Sequence, residues 1–137
     1  MDDWRRNLIE DDEDRIAELL RSTKRVAVLG IKTEAQSGQP AFYVPQALQR
    51  MGLSVVPVPV YYPEATTILG EKVYRRVADV PGEIDLVDVF RRSRDVAAHL
   101  PDLLAKKPRA VWLQSGIRDD GTAEQLARAG IQVVQDR

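Results

Sequence analysis

Hydrophobic residues are concentrated in five short runs that are separated by longer polar or amphipathic stretches. Within most of these runs the apolar residues are nearly continuous instead of alternating, which is typical of parallel strands covered on both faces. The intervening stretches carry helix signals, such as Pro40 at the start of one and Gly52 and Gly130 after the ends of two. The pattern therefore predicts strands at residues 25–30, 54–60, 84–90, 110–114 and 131–135.

Two further segments complete the predicted organisation. An amphipathic helix is predicted over residues 12–22, because Ile16, Leu19 and Leu20 fall on one face. Residues 61–83 show little helical period and contain several turn residues, so we expect a long crossover there with at most a short helix.

The alternation of strands and helices indicates βαβ units with right-handed crossovers. The predicted fold class is α/β, with a Rossmann-like, doubly wound, mostly parallel five-stranded sheet of order 3-2-1-4-5 and an extra N-terminal helix. We expect residues 1–137 to form a single domain in which residues 1–23 are an N-terminal helical extension. In such a sheet, ligands bind at the carboxyl ends of the strands, beside strand one.

Composition narrows the range of partners. The 137 residues include 20 basic and 21 acidic side chains, so the formal net charge of -1 gives no electrostatic reason to propose nucleic acid. The absence of Cys excludes disulfides, thiolate catalysis and Cys-based metal sites. No apolar run approaches the ~20 residues that span a bilayer, and the acidic N-terminus is not typical of a targeting peptide. We therefore expect a soluble, cytoplasmic protein without a membrane partner, and its many charged residues are typical of a thermophile.

The loop after strand one is a candidate phosphate site. Gly30 ends the strand, and the polar residues Lys32 and Thr33 precede the helix that begins near Pro40. The dinucleotide fingerprint and the P-loop pattern are both absent. Backbone N–H groups at this loop could still bind a phosphate, with Lys32 adding charge. The alternative is an ordinary βα loop with solvated polar side chains.

The end of strand two argues against a dinucleotide. An NAD site needs an acidic residue there for the ribose hydroxyls, and none occurs before Glu64. Val58, Pro59 and Tyr61 offer an apolar wall instead, which suits an adenine ring. Pro57 and Pro59 cannot donate backbone hydrogen bonds, which suits the end or the edge of a strand.

The ends of strands three and four add further candidates. Phe90 and Arg91 lie at the end of strand three, where an arginine near a helix start favours an anionic partner, although both residues could equally serve packing and solvation. Gln114, Ser115 and Gly116 lie at the end of strand four, either as a ligand contact or as a plain turn. Asp88 lies within strand three, and we interpret it as a hydrogen-bonded structural group rather than a catalytic base.

With these motifs assembled, the chain resembles the small stand-alone CoA-binding-domain proteins. These are Rossmann-like proteins related to the CoA-binding domain of the succinyl-CoA synthetase alpha subunit. The resemblance runs from Lys24 onward in family order, and its most distinctive part is the combination of LGEKVY, VDVFRR and VWLQSGI. Family members often have Ser-Pro after the glycine turn and Asn-Pro after strand two, where this chain has Lys32-Thr33 and Val58-Pro59.

The resemblance implies a CoA site in three parts along the carboxyl edge. The diphosphate would contact Gly30, Ile31, Lys32 and Thr33. The adenosine end would lie against Val58, Pro59, Tyr61, Val89, Phe90 and Arg91. The pantetheine arm would run toward Gln114, Ser115 and Gly116. The candidate cations for the phosphates are Lys32, Lys72 and Arg91.

No catalytic constellation is recognisable in the sequence. The related synthetases use a phosphorylated His in a separate ligase domain, whereas His99 is predicted to lie in the helix after strand three, away from the ligand edge. The leading hypothesis is a CoA- or acyl-CoA-binding module that acts as a carrier, a sensor or a subunit, with a second copy or a ligase-type protein as partner. The alternatives are an enzyme that uses NAD(P) or another nucleotide, and an interaction module that has lost ligand binding.

Overall fold

The computed structural model describes residues 3–137; the first two residues of the predicted extension lie outside this range. Six strands form the main sheet: β1 (Leu8–Ile9), β2 (Arg25–Leu29), β3 (Ser54–Val58), β6 (Leu86–Val89), β7 (Ala110–Leu113) and β8 (Gln132–Val134). Two more strands form a separate hairpin: β4 (Thr67–Ile68) and β5 (Glu71–Lys72). The α-helices are α1 (Glu13–Arg21), α2 (Pro40–Arg50), α3 (Ser93–Val96), α4 (Leu100–Lys106) and α5 (Asp120–Arg128). Short 3-10 turns occur at Trp4–Asn7, Glu34–Gln36, Val77–Asp79 and Ala97–His99.

The main sheet is parallel throughout and has the order β1-β8-β7-β6-β2-β3. This confirms the predicted fold class, a Rossmann-like α/β sheet. The predicted order 3-2-1-4-5 is wrong, because the third predicted strand, β6, pairs with β2 on the side opposite to β3. In the order of the predicted strands, the sheet reads 2-1-3-4-5, which is also a doubly wound arrangement.

The outer edge of β3 explains this order. Pro57 has no N–H, and its carbonyl points away from β2 and accepts a hydrogen bond from the amide of Tyr74 at 3.0 Å. On the inner side, the Val58 carbonyl accepts from the amide of Gly30. At the edge of the sheet, the missing N–H of Pro57 therefore leaves no strand-pairing hydrogen bond unmade. If another strand paired with β3 on that side, the ladder between them would lack one donor. The crossover after β5 runs beside β3, and β6 joins the sheet next to β2.

Helices and loops cover both faces of the sheet. One face packs against the Val77–Asp79 turn, α4 and α5, with buried side chains such as Val87 and Leu126. The other face packs against α1, α2 and the hairpin, with buried side chains such as Val28 and Phe42. Because residues on both faces of the strands are buried, the strands are apolar along their length.

The N-terminal extension adds a strand as well as a helix. The predicted helix is present as α1, and the Asp12 side chain accepts a hydrogen bond from the Arg15 amide at its start. Leu8 and Ile9 form β1, which pairs in parallel with β8 and buries Ile9. This sixth strand was not predicted, because two residues are too few to show a period.

The crossover between β3 and β6 contains the hairpin and a 3-10 turn, and no α-helix is found there, in agreement with the expected long crossover. Leu69 and Gly70 connect the hairpin strands, and both have positive φ, at 55° and 75°. A two-residue turn of this kind matches the twist of the strands. Within residues 3–137, none of the helices has the length and apolar character needed to cross a membrane.

Candidate functional site

A cleft of about 670 Å³ opens at the carboxyl edge of the sheet. It lies between the neighbouring strands β2 and β6. The connection after β2 leads to β3 on one side of this pair, and the connection after β6 leads to β7 on the other side. Such a divergence of loops is where open α/β sheets bind ligands. The lining comes from the ends of β2, β3, β6 and β7 and from the start of α2: Gly30, Lys32, Gln39, Pro40, Ala41, Val60, Tyr61, Tyr62, Phe90, Arg91, Arg92, Ser93, Gly116 and Ile117.

Gly30 brings the loops after β2 and β6 together. Its φ of +88° is in the left-handed region, which favours glycine. A Cβ at this position would lie 3.1 Å from the carbonyl carbon of Phe90 and closer still to the oxygen. A side chain at residue 30 would therefore force the two loops apart at the floor of the cleft.

The loop after β2 presents a charged side chain to the cleft. Three amides that we had considered for phosphate binding already have protein acceptors: Gly30 donates to Val58, Lys32 to Ala41 and Thr33 to the side chain of Gln36, at 2.9, 3.1 and 3.0 Å. The Lys32 ammonium lies 3.5 Å from the hydroxyl of Tyr62 and keeps other N–H groups for a ligand. The loop thus presents the charge of Lys32 to the cleft, while these three amides are already paired.

Two tyrosines form an aromatic wall after β3. Tyr61 is 57% exposed, and its ring meets that of Tyr62 edge to face, with centroids 6.3 Å apart. Tyr62 has a φ of +65°. Arg75 holds this segment, because its guanidinium donates to the carbonyls of Tyr61, Tyr62, Pro63 and Ala65 at 2.9 to 3.2 Å.

Arg91 supplies a second cation to the cleft. Its side chain is only 15% exposed, and its Nη2 lies 3.9 Å from the Asp95 carboxylate. The guanidinium carbon lies 5.6 Å from the centroid of the Tyr61 ring, in the range of a cation–π contact. The neighbouring Arg92 is 67% exposed and pairs with Asp95 at 3.2 Å.

His99 lies nearer to the cleft than the sequence suggested. We predicted it away from the ligand edge, but the Ala97–His99 turn directs its ring to Arg91, whose Nε donates to His99 Nε2 at 3.1 Å. Burial and the charge of Arg91 lower the pKa of His99, while Asp102 and Asp95 oppose this shift. His99 also lines a second cavity of about 440 Å³.

Asp88 and Gln114 form a polar pair beneath the edge. Asp88 is 3% exposed, and the side-chain amide of Gln114 donates to its carboxylate. Burial raises the pKa of Asp88 to about 7, although the hydrogen bond from Gln114 acts in the opposite direction. This arrangement matches the interpretation of Asp88 as a hydrogen-bonded structural group. The side-chain amide of Gln114 is the hydrogen-bond donor of this pair.

The structure gathers part of the predicted site around the cleft. Six predicted residues line it: Gly30, Lys32, Tyr61, Phe90, Arg91 and Gly116. Three others have side chains buried in the core: Ile31, Val58 and Val89. The binding role of every predicted residue stays a prediction.

The other predicted residues have different surroundings. Pro59 lines the second cavity, and the Thr33 side chain caps the Glu34–Gln36 turn. Lys72 is exposed on the hairpin, with its ammonium 5.1 Å from the ring centroid of Tyr74. Ser115 is exposed in the loop after β7.

Several lining residues were missed from the sequence. Tyr62 directly follows the predicted residue Tyr61, and Gln39 directly precedes the predicted helix start at Pro40. Adjacency along the chain could therefore have identified both. Ser93, at the start of α3, and Ile117, in the loop after β7, are brought together by a long-range bond, since the Ser93 hydroxyl accepts from the amide of Arg118 at 2.9 Å. Such pairings across the fold leave no local signal in the sequence.

Comparison with known proteins places the chain among relatives of similar size. The Bacillus subtilis protein YneT is 30% identical over 121 residues, which cover 88% of this chain and 86% of that protein. A solved structure from Thermus thermophilus has a TM-score of 0.83 and 37% identity, with 92% of each chain covered. Another, from Pyrococcus horikoshii, has a TM-score of 0.81 and 26% identity, covering 91% of this chain and 84% of that one.

A larger protein shares the fold. The acetyl-coenzyme A synthetase 1 of Candidatus Korarchaeum cryptofilum, solved in complex with phosphate and ADP, matches with a TM-score of 0.68 and 21% identity. The match covers 85% of this chain and 26% of the synthetase. The profile of the CoA binding domain family matches residues 24–137, the range over which the resemblance was recognised. The chain is therefore a member of the CoA-binding domain family.

Proposed function

We propose that the chain binds CoA or an acyl-CoA in the cleft and catalyses no reaction of its own. The observation that carries this proposal is that two cations, Lys32 and Arg91, line the same cleft at the sheet edge as the exposed ring of Tyr61. Membership in the CoA-binding domain family supports the same ligand class.

The chemistry of the cleft suits the parts of CoA. The diphosphate and the 3′-phosphate are anionic, and Arg91 offers a planar fork that matches phosphate oxygens. The ring of Tyr61 offers an exposed face on which an adenine can stack. Gly116 and Ile117 line the side of the cleft under the loop after β7, where a pantetheine arm can pass close to the backbone.

A role without turnover is the simpler interpretation of this lining. Among residues 3–137, the side chains that line the cleft include no carboxylate and no imidazole, so a general acid or base there would have to be Lys32 or a tyrosine. A carrier, a sensor of CoA or acyl-CoA, or a subunit that completes an enzyme would each use such a site.

Isothermal titration tests the proposal. We expect CoA to bind with micromolar affinity and NAD to give no heat. Lys32→Met should weaken CoA binding by roughly 10-fold, because one charge-assisted contact to phosphate is lost. Lys24→Met is the matched control, since exposed Lys24 lies before the amino end of β2, and its affinity should be unchanged.

Other outcomes would contradict the proposal. Equal heats with NAD and CoA would favour a nucleotide-dependent enzyme. No heat with CoA, ADP or NAD up to millimolar concentration would favour an interaction module without a ligand.

A further inference from the structure

Arg91 has a single well-formed side-chain hydrogen bond within residues 3–137. Its Nε–H donates to His99 Nε2 at 3.1 Å, whereas the 3.9 Å separation from Asp95 is too long for a hydrogen bond. The guanidinium carbon lies 5.6 Å from the centroid of the Tyr61 ring, and the polar contact and the charge of Arg91 lower the pKa of the Tyr61 hydroxyl. His99 is the partner that Arg91 contacts at well-formed hydrogen-bond distance, and it therefore helps to set the orientation of the guanidinium.

We propose that His99 is a positioning residue of the ligand site, which holds Arg91 in a phosphate-binding orientation by accepting its Nε–H. The proposal rests on the proposed function, since it concerns the affinity of the same cleft for a phosphate-bearing ligand. With Nε bound to His99, both terminal nitrogens of Arg91 stay available for a bidentate contact with phosphate oxygens.

The contact defines the protonation state of His99. Because Nε2 accepts a hydrogen bond, the imidazole must be neutral and carry its proton on Nδ1. The charged groups around the ring are Arg91 after β6, Asp95 on α3, Asp102 on α4, and Arg75 and Arg76 before the Val77–Asp79 turn. Burial and the charge of Arg91 outweigh the two carboxylates and lower the pKa of His99.

Protonation of His99 would release Arg91. The imidazolium has no lone pair to accept the Arg91 hydrogen bond, and two cations would then be in contact. An added positive charge also attracts an anionic ligand, but His99 lines the second cavity and is not among the residues that line the cleft. The loss of the short-range contact therefore dominates, and affinity for CoA should fall as pH decreases through the pKa of His99.

A first test needs no ligand. His99 is the one histidine of the chain, so nitrogen-15 NMR of the imidazole gives a single unambiguous signal set. We expect the Nδ1–H tautomer at pH 7.5 and a titration midpoint below the ordinary value of 6.5. The Nε2–H tautomer, or a protonated ring at pH 7.5, would overturn the proposal.

A second test separates positioning from simple structure. His99→Gln places an amide oxygen where Nε2 lies and keeps an acceptor for Arg91, whereas His99→Phe keeps a flat ring without an acceptor. In titrations at pH 7.5, we expect His99→Gln to bind CoA like the wild type and His99→Phe to bind roughly 10-fold more weakly. From pH 7.5 to below the midpoint that NMR gives for His99, the wild type should lose more affinity than His99→Gln, because titration of the CoA phosphate is common to both.

The outcomes are distinguishable from a failure of the proposed function. Absence of CoA binding by the wild type would contradict the proposed function, and the NMR experiment would still decide whether His99 accepts from Arg91. Normal binding by a folded His99→Phe variant would refute the positioning role and leave CoA binding intact. Should His99→Phe fail to fold, the pH profile of His99→Gln carries the test, and a profile equal to that of the wild type would refute the role.

Discussion

At the scale of single residues, Asp88 makes the stability of the fold depend on pH. The pKa of this carboxyl is about 7 in the folded state against 3.8 ordinarily. Between these two values the folded state binds more protons than the unfolded state, so the free energy of unfolding decreases as pH rises through this window. Above pH 7 the folded protein contains a buried carboxylate whose hydrogen-bond partner is Gln114.

Asp88→Asn should remove this cost. The amide oxygen of Asn can accept from Gln114 without a charge, so we expect the variant to be more stable than the wild type by up to ~4 kcal/mol at pH 8. The difference should become small near pH 3.5, where the wild-type carboxyl is protonated in the folded state and mostly protonated in the unfolded state. Urea unfolding at the two pH values measures both quantities.

Asp85 provides a matched carboxyl with the opposite shift. Its burial acts to raise the pKa, but hydrogen bonds from the amides of Lys24 and Arg25, both at 2.9 Å, outweigh burial and lower it. Asp85→Asn should therefore lose stability at pH 8. Stabilisation by both substitutions, or by neither, would contradict the assignment for Asp88.

At the scale of elements, the segment after β3 depends on one arginine. Arg75 bridges four carbonyls of residues 61–65 and so fixes the backbone that carries the two tyrosines of the cleft. Since the segment has no regular secondary structure beyond turns, these bonds replace the ladder that a strand would provide.

Arg75→Met should loosen the aromatic wall without unfolding the protein. We expect faster amide hydrogen exchange in residues 61–65 and CoA binding weaker by roughly 10-fold, because ordering the segment would then oppose binding. Arg76→Met is the control, since Arg76 is 61% exposed at the side chain and its nearest carboxylate, Asp102, lies 3.9 Å away. Unchanged exchange in the Arg75→Met variant would show that packing alone holds the segment.

The elements also show which signals a sequence contains. The Val-rich runs predicted five strands correctly, because burial on both faces imposes continuous apolar character. The predicted strand order was wrong although Pro57 indicated that β3 is an edge strand. The predicted order placed β6 beside β3, which would have made β3 an interior strand. The β4–β5 hairpin went unnoticed because each strand has two residues and Leu69, rather than Asn, precedes the turn glycine.

For the site, proximity along the chain decided what was predictable. Residues that directly follow a strand, such as Lys32 and Phe90, were found from the rule that ligands bind at carboxyl ends. The link from Arg91 to His99 depends on the break of the helix into a 3-10 turn before α4. That geometry is set by packing and was not recognisable from residue spacing.

At the scale of the whole molecule, the N-terminal extension is integrated into the sheet. The family match begins at residue 24, yet β1 pairs with β8, and the Asn7 side chain donates to the Ala127 carbonyl at 2.9 Å. The guanidinium carbon of Arg128 also lies 4.3 Å from the ring centroid of Trp4. The extension and the family-matched region should therefore unfold together.

Ile9→Ala tests this cooperativity. Ile9 is 2% exposed, and truncation of such a side chain should lower the free energy of unfolding by about 3 kcal/mol. Leu20→Ala is the control, because Leu20 is 48% exposed, and its effect should stay within about 0.5 kcal/mol. Denaturant titration measures both, and a change below 0.5 kcal/mol for Ile9→Ala would mean that the extension unfolds independently.

The edge of β3 has a consequence for self-association. An exposed sheet edge is a template onto which another chain can add a strand, and this is a common route to aggregation. At one edge of the sheet, Pro57 in β3 has no N–H to donate, and its carbonyl already accepts a hydrogen bond from the amide of Tyr74. The opposite edge is formed by the two-residue strand β1. Addition of a strand from a second copy is therefore disfavoured at both edges, and so is growth into continuous intermolecular sheets.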